Sequence, residues 1–262
     1  IAPQNPFDLA GLDLMDSFNP PVWTEQGMPR FLLGSDDQGR DVLSSILYGT
    51  RISLLVGVCA VVFSTLVGIG VGLLSGYLGG TLDAVLMRIA DIQLTFPSIL
   101  VALLVDGIVR AAVPQEVHDR LALYVVVFAI GISNWPQFAR TIRGSTLVER
   151  NKEYVLAARV IGIGRLRIML THVLPNVIGP VLVIATLNLG FAILAEATLS
   201  FLGVGVPPTQ PSLGTLIRIG NGFLMSGEWW ITIFPGIALI LLVLSVNLLG
   251  DWLRDALNPR LR

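Results

Sequence analysis

Residues 139–176 read ARTIRGSTLVERNKEYVLAARVIGIGRLRIMLTHVLPN, and the fold turns on this stretch. It holds seven of the chain's seventeen basic residues, including Lys152, the only lysine, and apolar segments of membrane length flank it on both sides. A polar island between two apolar blocks is a loop at a membrane face. Thr146 followed by Glu149 fits a capping box, and Leu147, Asn151, Tyr154, Val155, Ala158 and Ile161 recur at helical spacing with Glu149, Arg150, Lys152 and Glu153 between them. This spacing predicts a short amphipathic helix. Gly162-Ile163-Gly164 ends it, Arg165 to Leu174 reads as a second helix, and Pro175 marks the restart of helix on entering the next apolar block.

The composition agrees with a chain built around such a loop. Apolar residues make up 53% and charged residues 13%, where a soluble domain carries about 25% charged, and the mean hydropathy is +0.76. The expected class is an all-α integral membrane protein, a polytopic helical bundle. A net charge of −1 gives no electrostatic basis for a nucleic-acid partner. The single cysteine, Cys59, excludes a disulfide framework, and its place in an apolar run predicts a buried small hydrophobe. No GxxxxGK[ST] segment occurs and no glycine-rich loop precedes Lys152, so the chain has no phosphate cradle of that type.

Outward from the island, five spans are expected. Residues 1–50, rich in Pro, Asp and Asn, form an acid-leaning external segment with turn chemistry at Gly34-Ser35-Asp36 and Gly39-Arg40-Asp41; residues 51–262 form the membrane domain, with the island at 140–175 as its loop. Ile52 to Leu78 carries no charge and crosses with tilt to spare, and its Gly68 and Gly72 are a small-xxx-small pair of a common kind. The second span takes in Ile92 to Val105 and ends around Arg110, with Pro97 as a kink. Leu121 to Ala139, interrupted near Asn134-Trp135-Pro136, is the third, and Val173 to Ala195 the fourth. Pro207, Pro208 and Pro211 stop that helix, and Ser212 to Leu224 predicts a short interfacial or re-entrant helix. Trp229 to Gly250 is the last span, with Trp229 and Trp230 read as interfacial anchors. Glu196, near a span end, is either a functional carboxylate or a group paired with Arg218 or water. Eleven basic residues lie on the island, the tail and the Arg88 turn against six elsewhere, which places the island and C-terminus in the cytoplasm and Ile1 outside.

On residues alone the island is equally a basic cytoplasmic loop packing on its own bundle. Its spacing, however, resembles the EAA loop of ABC-importer membrane subunits: Ala157, Ala158, Gly162, Leu174 and Pro175 match, while Leu156 stands in place of the eponymous Glu and His172 in place of an Ile. LLGSDDQGRDVLSSILYGTRISLLVG (32–57), ADIQLTFPSIL (90–100), the LSFLGVG stretch and NLLGDWLRDALNP (247–259) resemble the dipeptide/oligopeptide permease branch, specifically its second-permease (C-type) subunit.

The resemblance implies a type I ABC importer fold with one further span before Ile1, in the bacterial inner membrane. It implies no catalysis in this chain: ATP and Mg would sit on two cytoplasmic ATPase subunits, and a second permease subunit and an external substrate-binding protein would complete the assembly. The implied cargo is a dipeptide or oligopeptide, with nickel chelates or glutathione as alternatives. It implies ATPase coupling through Glu153, Tyr154, Ala157, Ala158, Gly162, Leu174 and Pro175. Asp91, Gln93, Phe96, Pro97, Glu196 and Ser200 are the candidates for pathway or gate. Two other classes fare worse. An ion-driven carrier needs ionisable groups at mid-membrane, where only Glu196 and Asp91 come near, and an intramembrane hydrolase needs a base beside its nucleophile, while His118 and His172 both lie in loops.

Overall fold

The computed structural model describes Pro6, residues 13–207 and residues 209–256. Among these the helices are α1 (Val42–Leu78), α2 (Gly80–Thr95), α3 (Ser98–Ala112), α4 (Gln115–Glu149), α5 (Glu153–Val160), α6 (Arg165–Ile168), α7 (Leu174–Phe201), α8 (Leu213–Asn221) and α9 (Trp230–Ala256). One π-helical turn, Met169–Val173, joins α6 to α7, so helix runs unbroken from Arg165 to Phe201. The described residues contain no strand, only an isolated bridge between Ser35 and Asp41. Pro208 and the tail residues Asn258 to Arg262 lie outside the described residues.

Four stretches are long and apolar enough to cross a membrane: α1, α4, Arg165–Phe201 and α9; α2 and α3 supply a fifth if taken as one broken span. That pair corrects the expectation of a kink at Pro97. The axes turn by 93° there, because proline has no N–H to continue the ladder and holds Phe96 in extended geometry (φ −91°, ψ 132°). The contacts divide into two compact units, each described by itself.

The first comprises Ile1–Val58, Leu103–Val127 and Phe191–Ser245. Helix α1 begins well before its uncharged run because Asp41 caps it, its Oδ2 accepting from the Ser44 amide at 2.8 Å and the Ser44 hydroxyl at 2.6 Å. The preceding turn is built by Asp36, which accepts from the amides of Gln38 and Arg40, each at 2.9 Å, and from Arg40 Nε at 2.6 Å. Gly34, at φ 88°, has Trp230 against it: a Cβ there would lie 2.8 Å from the indole. The indole N–H donates to the Ser35 carbonyl at 3.0 Å. Trp230 is therefore a buried core residue with Val42, Ile46, Leu213, Leu216 and Ile231, correcting its reading as an anchor; Trp229 remains exposed. Ser212 caps α8, accepting from the Thr215 amide at 3.3 Å, in agreement with a short helix after the prolines.

The second unit comprises Cys59–Ala102, Phe128–Gly190 and Val246–Arg262. Here α1 lies on α4 through Gly68, Gly72 and Gly76. A Cβ at these positions would stand 2.3 Å from the Phe138 Cβ, 2.4 Å from the Ala139 carbonyl oxygen and 2.7 Å from the Thr146 Cβ, respectively. The commonplace glycine pair is thus a backbone-contact seam three glycines long. Cys59 is exposed on α1, so the expected burial is corrected: the α1 apolar run has an outward face, and Cys59 is on it.

Helix α4 is not interrupted at Asn134-Trp135-Pro136. Pro136 removes the donor that would serve the Ile132 carbonyl, and the Gln93 side-chain amide donates to that carbonyl instead. The same amide's oxygen accepts from the Trp135 indole at 2.9 Å. Gln93→Leu is expected to lose both bonds and cost about 1–3 kcal/mol, read as a lower thermal midpoint of the purified protein; an unchanged midpoint would show that the α4 carbonyl needs no partner.

Candidate functional site

Three residues separate the end of α4 at Glu149 from the start of α5 at Glu153, with Lys152 extended (φ −69°, ψ 149°) and no side-chain cap. The capping box at Thr146 is therefore corrected: Thr146 lies inside α4, fully buried under Gly76. Its hydroxyl finds no partner among the described residues. The far end of α5 follows the expectation. Gly162 takes φ 85°, its amide bonds the Arg159 carbonyl at 3.0 Å, and the Ile163 amide bonds Ala158 at 3.1 Å, which is a Schellman turn. After Gly164 the helix resumes and passes Pro175 without a break, the π turn just before it accommodating the ring.

This geometry sorts the island's residues by face. Val155, Ala158, Ile168, Met169 and Val173 are buried. Glu153, Tyr154, Ala157, Gly162 and Pro175 are exposed, and Leu174 is half-buried. Ala158 thus faces inward, away from any docking partner. The outer ridge also contains Leu156, Leu166 and Val160 (88% exposed), which helical spacing does not single out, and Ile161 (77%), which it groups with Val155 and Ala158. Two adjacent apolar residues, Val160-Ile161, directly before a helix-ending glycine cannot both follow the inward stripe, and this was the available signal.

Tyr154 is a tether as well as a surface residue. Its hydroxyl donates to the Glu149 carboxylate and accepts from Asn176 Nδ2 at 3.1 Å. Burial, followed by the adjacent Glu149 charge, pushes that hydroxyl up to about 12, so it remains a donor throughout the physiological range. Basic residues complete the mounting. Arg150 donates to the Gly76 carbonyl at 2.8 Å, closing the end of α1. Arg159 donates to the Tyr77 hydroxyl at 3.2 Å, with its guanidinium 4.9 Å from that ring. Arg143 forms a fork on Asp83 at 2.5 and 2.7 Å, and Arg140 pairs with Asp91. Lys152, Arg165 and Arg167 have no ion-pair partner among the described residues. The arrangement presents an apolar ridge on a rigidly mounted short helix, with free cations beside it.

The pathway candidates fall into separate places. Gln93 and Asp91 are engaged with α4, as described, while Phe96 and Pro97 are exposed at the α2–α3 bend. Glu196 and Ser200 do come together. Glu196 is 0% exposed, accepting from Ser200 Oγ at 2.6 Å and Ser53 Oγ at 2.7 Å, and Ser53 Oγ in turn accepts from the Leu213 amide at 3.2 Å. The pairing of Glu196 with Arg218 does not occur; the Arg218 guanidinium lies against Gly203. Helices α1, α7 and α8 are thereby joined through one carboxylate. No cluster of three or more metal-ligating side chains occurs among the described residues.

Apolar helices long enough to cross a membrane, joined by a polar loop that carries a short, outward-facing helix, define a multi-pass membrane protein. Residues 68–262 match the family described as binding-protein-dependent transport system inner membrane component, and the chain belongs to that family. Among its relatives are the dipeptide transport system permease protein DppC of Haemophilus influenzae, 42% identical over 98% of this chain and 83% of the relative. The protein of that name in Escherichia coli K12 is 43% identical over 100% and 83%, and the di/tripeptide transport system permease protein DppC of Pseudomonas aeruginosa 42% over 93% and 77%. The fold resembles a chain of the MetNI methionine ABC transporter in an inward-facing conformation, with a TM-score of 0.63 at 19% identity over 82% of this chain and 96% of that one. The type I ABC importer fold is thus the one this chain adopts, and the chain is a multi-pass membrane permease component of an ABC transporter.

Proposed function

We propose that the chain is one of two membrane subunits of an importer for dipeptides or short oligopeptides, driven by ATP hydrolysis on separate subunits. The observation that carries the coupling half is the exposed ridge Leu156, Ala157, Val160, Ile161 and Gly162, rigidly backed by Tyr154, Arg150 and Arg159. Apolar side chains left outward on a polar loop await a partner surface. Two cytoplasmic ATPase subunits holding ATP and Mg supply that surface, with Glu153 at its edge and Leu174 and Pro175 setting where the helix re-enters. Closure of the ATPases on nucleotide moves α5 as a rigid piece, and the spans follow. A second permease subunit forms the other half of the pathway, and an external binding protein delivers the peptide. Peptide as cargo is supported by the names of the relatives at 42–43% identity.

In this orientation the island and the C-terminus are cytoplasmic and residues 1–50 are external, with residues 51–262 as the permease domain. The basic residue distribution supports it. Co-purification of the tagged chain from its native membrane is expected to recover two nucleotide-binding subunits and a second permease, with ATP-dependent dipeptide uptake on reconstitution. Recovery of the chain alone, without ATPase activity, would overturn the proposal; uptake of a nickel chelate or glutathione in place of dipeptide would replace the cargo only.

A further inference from the structure

A cavity of about 470 Å3 opens beside the start of the uncharged run of α1, lined by Tyr48, Arg51, Ile52, Leu55, Leu123, Thr209 and Gln210. All of these belong to the first unit. Its volume lies within the range of small-molecule sites, about 300–1,000 Å3. Arg51 is the one cation among the lining residues, and no carboxylate is among them. Arg51 makes no ion pair with any described residue, unlike Arg30, Arg40, Arg110, Arg140 and Arg143. A guanidinium in a partly apolar concavity without a counter-ion is suited to an incoming oxyanion, which it can take through two parallel N–H donors.

The neighbours narrow the choice of oxyanion. Thr209 and Gln210 each bring acceptor as well as donor atoms. A lipid phosphodiester presents acceptors only, whereas a peptide presents a carboxylate for the arginine and, next to it, an amide N–H and a carbonyl for the threonine and glutamine. Ile52, Leu55 and Leu123 leave room for an apolar side chain. No carboxylate lines the cavity to pair with an ammonium group, and the Arg51 charge opposes one, so the cavity favours the carboxylate end of a peptide over the amino end.

We propose that this cavity receives the C-terminal residue of a short peptide, with Arg51 holding its carboxylate, and that it is a substrate-contacting subsite of the translocation pathway. This rests on the reading of the chain as a peptide importer. The shared chemistry is oxyanion recognition, and a phospholipid headgroup is the competing source.

The test uses the complete transporter in proteoliposomes, with binding protein and ATPases present, made once in neutral and once in anionic lipid. Wild-type ATP-dependent dipeptide uptake establishes the importer reading first; its absence would refute that reading and not this site in particular. Given uptake, Arg51→Gln is expected to lower it about ten- to a hundredfold, the loss of one charge-assisted contact, in both lipids, and Arg51→Lys to recover part. Undiminished uptake by Arg51→Gln overturns the proposal. So does a defect confined to anionic lipid, which would assign Arg51 to a headgroup. Thiol labelling gives a second readout independent of the binding protein and of Arg51→Gln assembling. In a Cys59→Ser background, Gln210→Cys is expected to be protected from a maleimide by a free dipeptide and not by the same dipeptide amidated at its C-terminus. Equal protection, or none, counts against the carboxylate site.

Discussion

Gly72→Ala is expected to destabilise the protein by about 1–3 kcal/mol, the usual cost of overpacking, and Gly72→Leu to prevent recovery of the folded protein. The reason is that the added carbon meets backbone. It would stand 2.4 Å from the Ala139 carbonyl oxygen and 2.9 Å from the Ile142 Cβ, neither of which can move without shifting α4. Gly68 is placed alike, at 2.3 Å from the Phe138 Cβ. Gly70, on the same helix between them, has nothing within 4 Å of its would-be Cβ, and Gly70→Ala is expected to be neutral or mildly stabilising through its better helix propensity. The thermal midpoints of the two alanine variants in detergent make the comparison. Equal midpoints would show that α1 and α4 are not in backbone contact.

A second large effect is expected from Val160→Asp combined with Ile161→Asp. Each parent side chain is almost wholly exposed, so neither substitution disturbs the fold of the subunit. Burying a Val or Ile against a partner is worth about 1.5–3 kcal/mol each, and two carboxylates would further oppose closure of that interface. Retention of the ATPase subunits should fall roughly a hundredfold or more, and ATP-driven uptake with it, while the two membrane subunits still purify together. Asn151→Asp brings the same sign of charge to the loop outside the ridge and is expected to leave uptake near wild type. Undiminished uptake by the double variant would remove the ridge from the coupling contact.

What could be read from the sequence was what depends on neighbours along the chain. The Gly162-Ile163-Gly164 stop needs a left-handed residue and has one. The run of apolar residues in α1 sets a span by length alone, and Gly34 and Gly39 carry their turns by local dihedral freedom. Contacts between distant segments left weaker traces. Thr146 carried a local capping signal, but Gly76, seventy residues earlier, buries it within a longer helix. Trp230 looks like a membrane-edge residue until Ser35 is folded against it. Within the island, spacing recovered the buried stripe through Val155 and Ala158 but not the outward ridge, because exposed apolar residues have no period of their own to betray them. The resemblance to the EAA loop supplied Ala157 and Gly162, and the structure adds Leu156, Val160 and Ile161 beside them.

The bond from Gln93 to the Ile132 carbonyl also bears on biosynthesis. A carbonyl freed by Pro136 inside a lipid-embedded helix has no water to turn to. Its partner lies on α2, which leaves the ribosome before α4 does. When α4 is threaded into the bilayer, the amide that completes it is already there, so the Ile132 carbonyl need not wait in lipid for its partner.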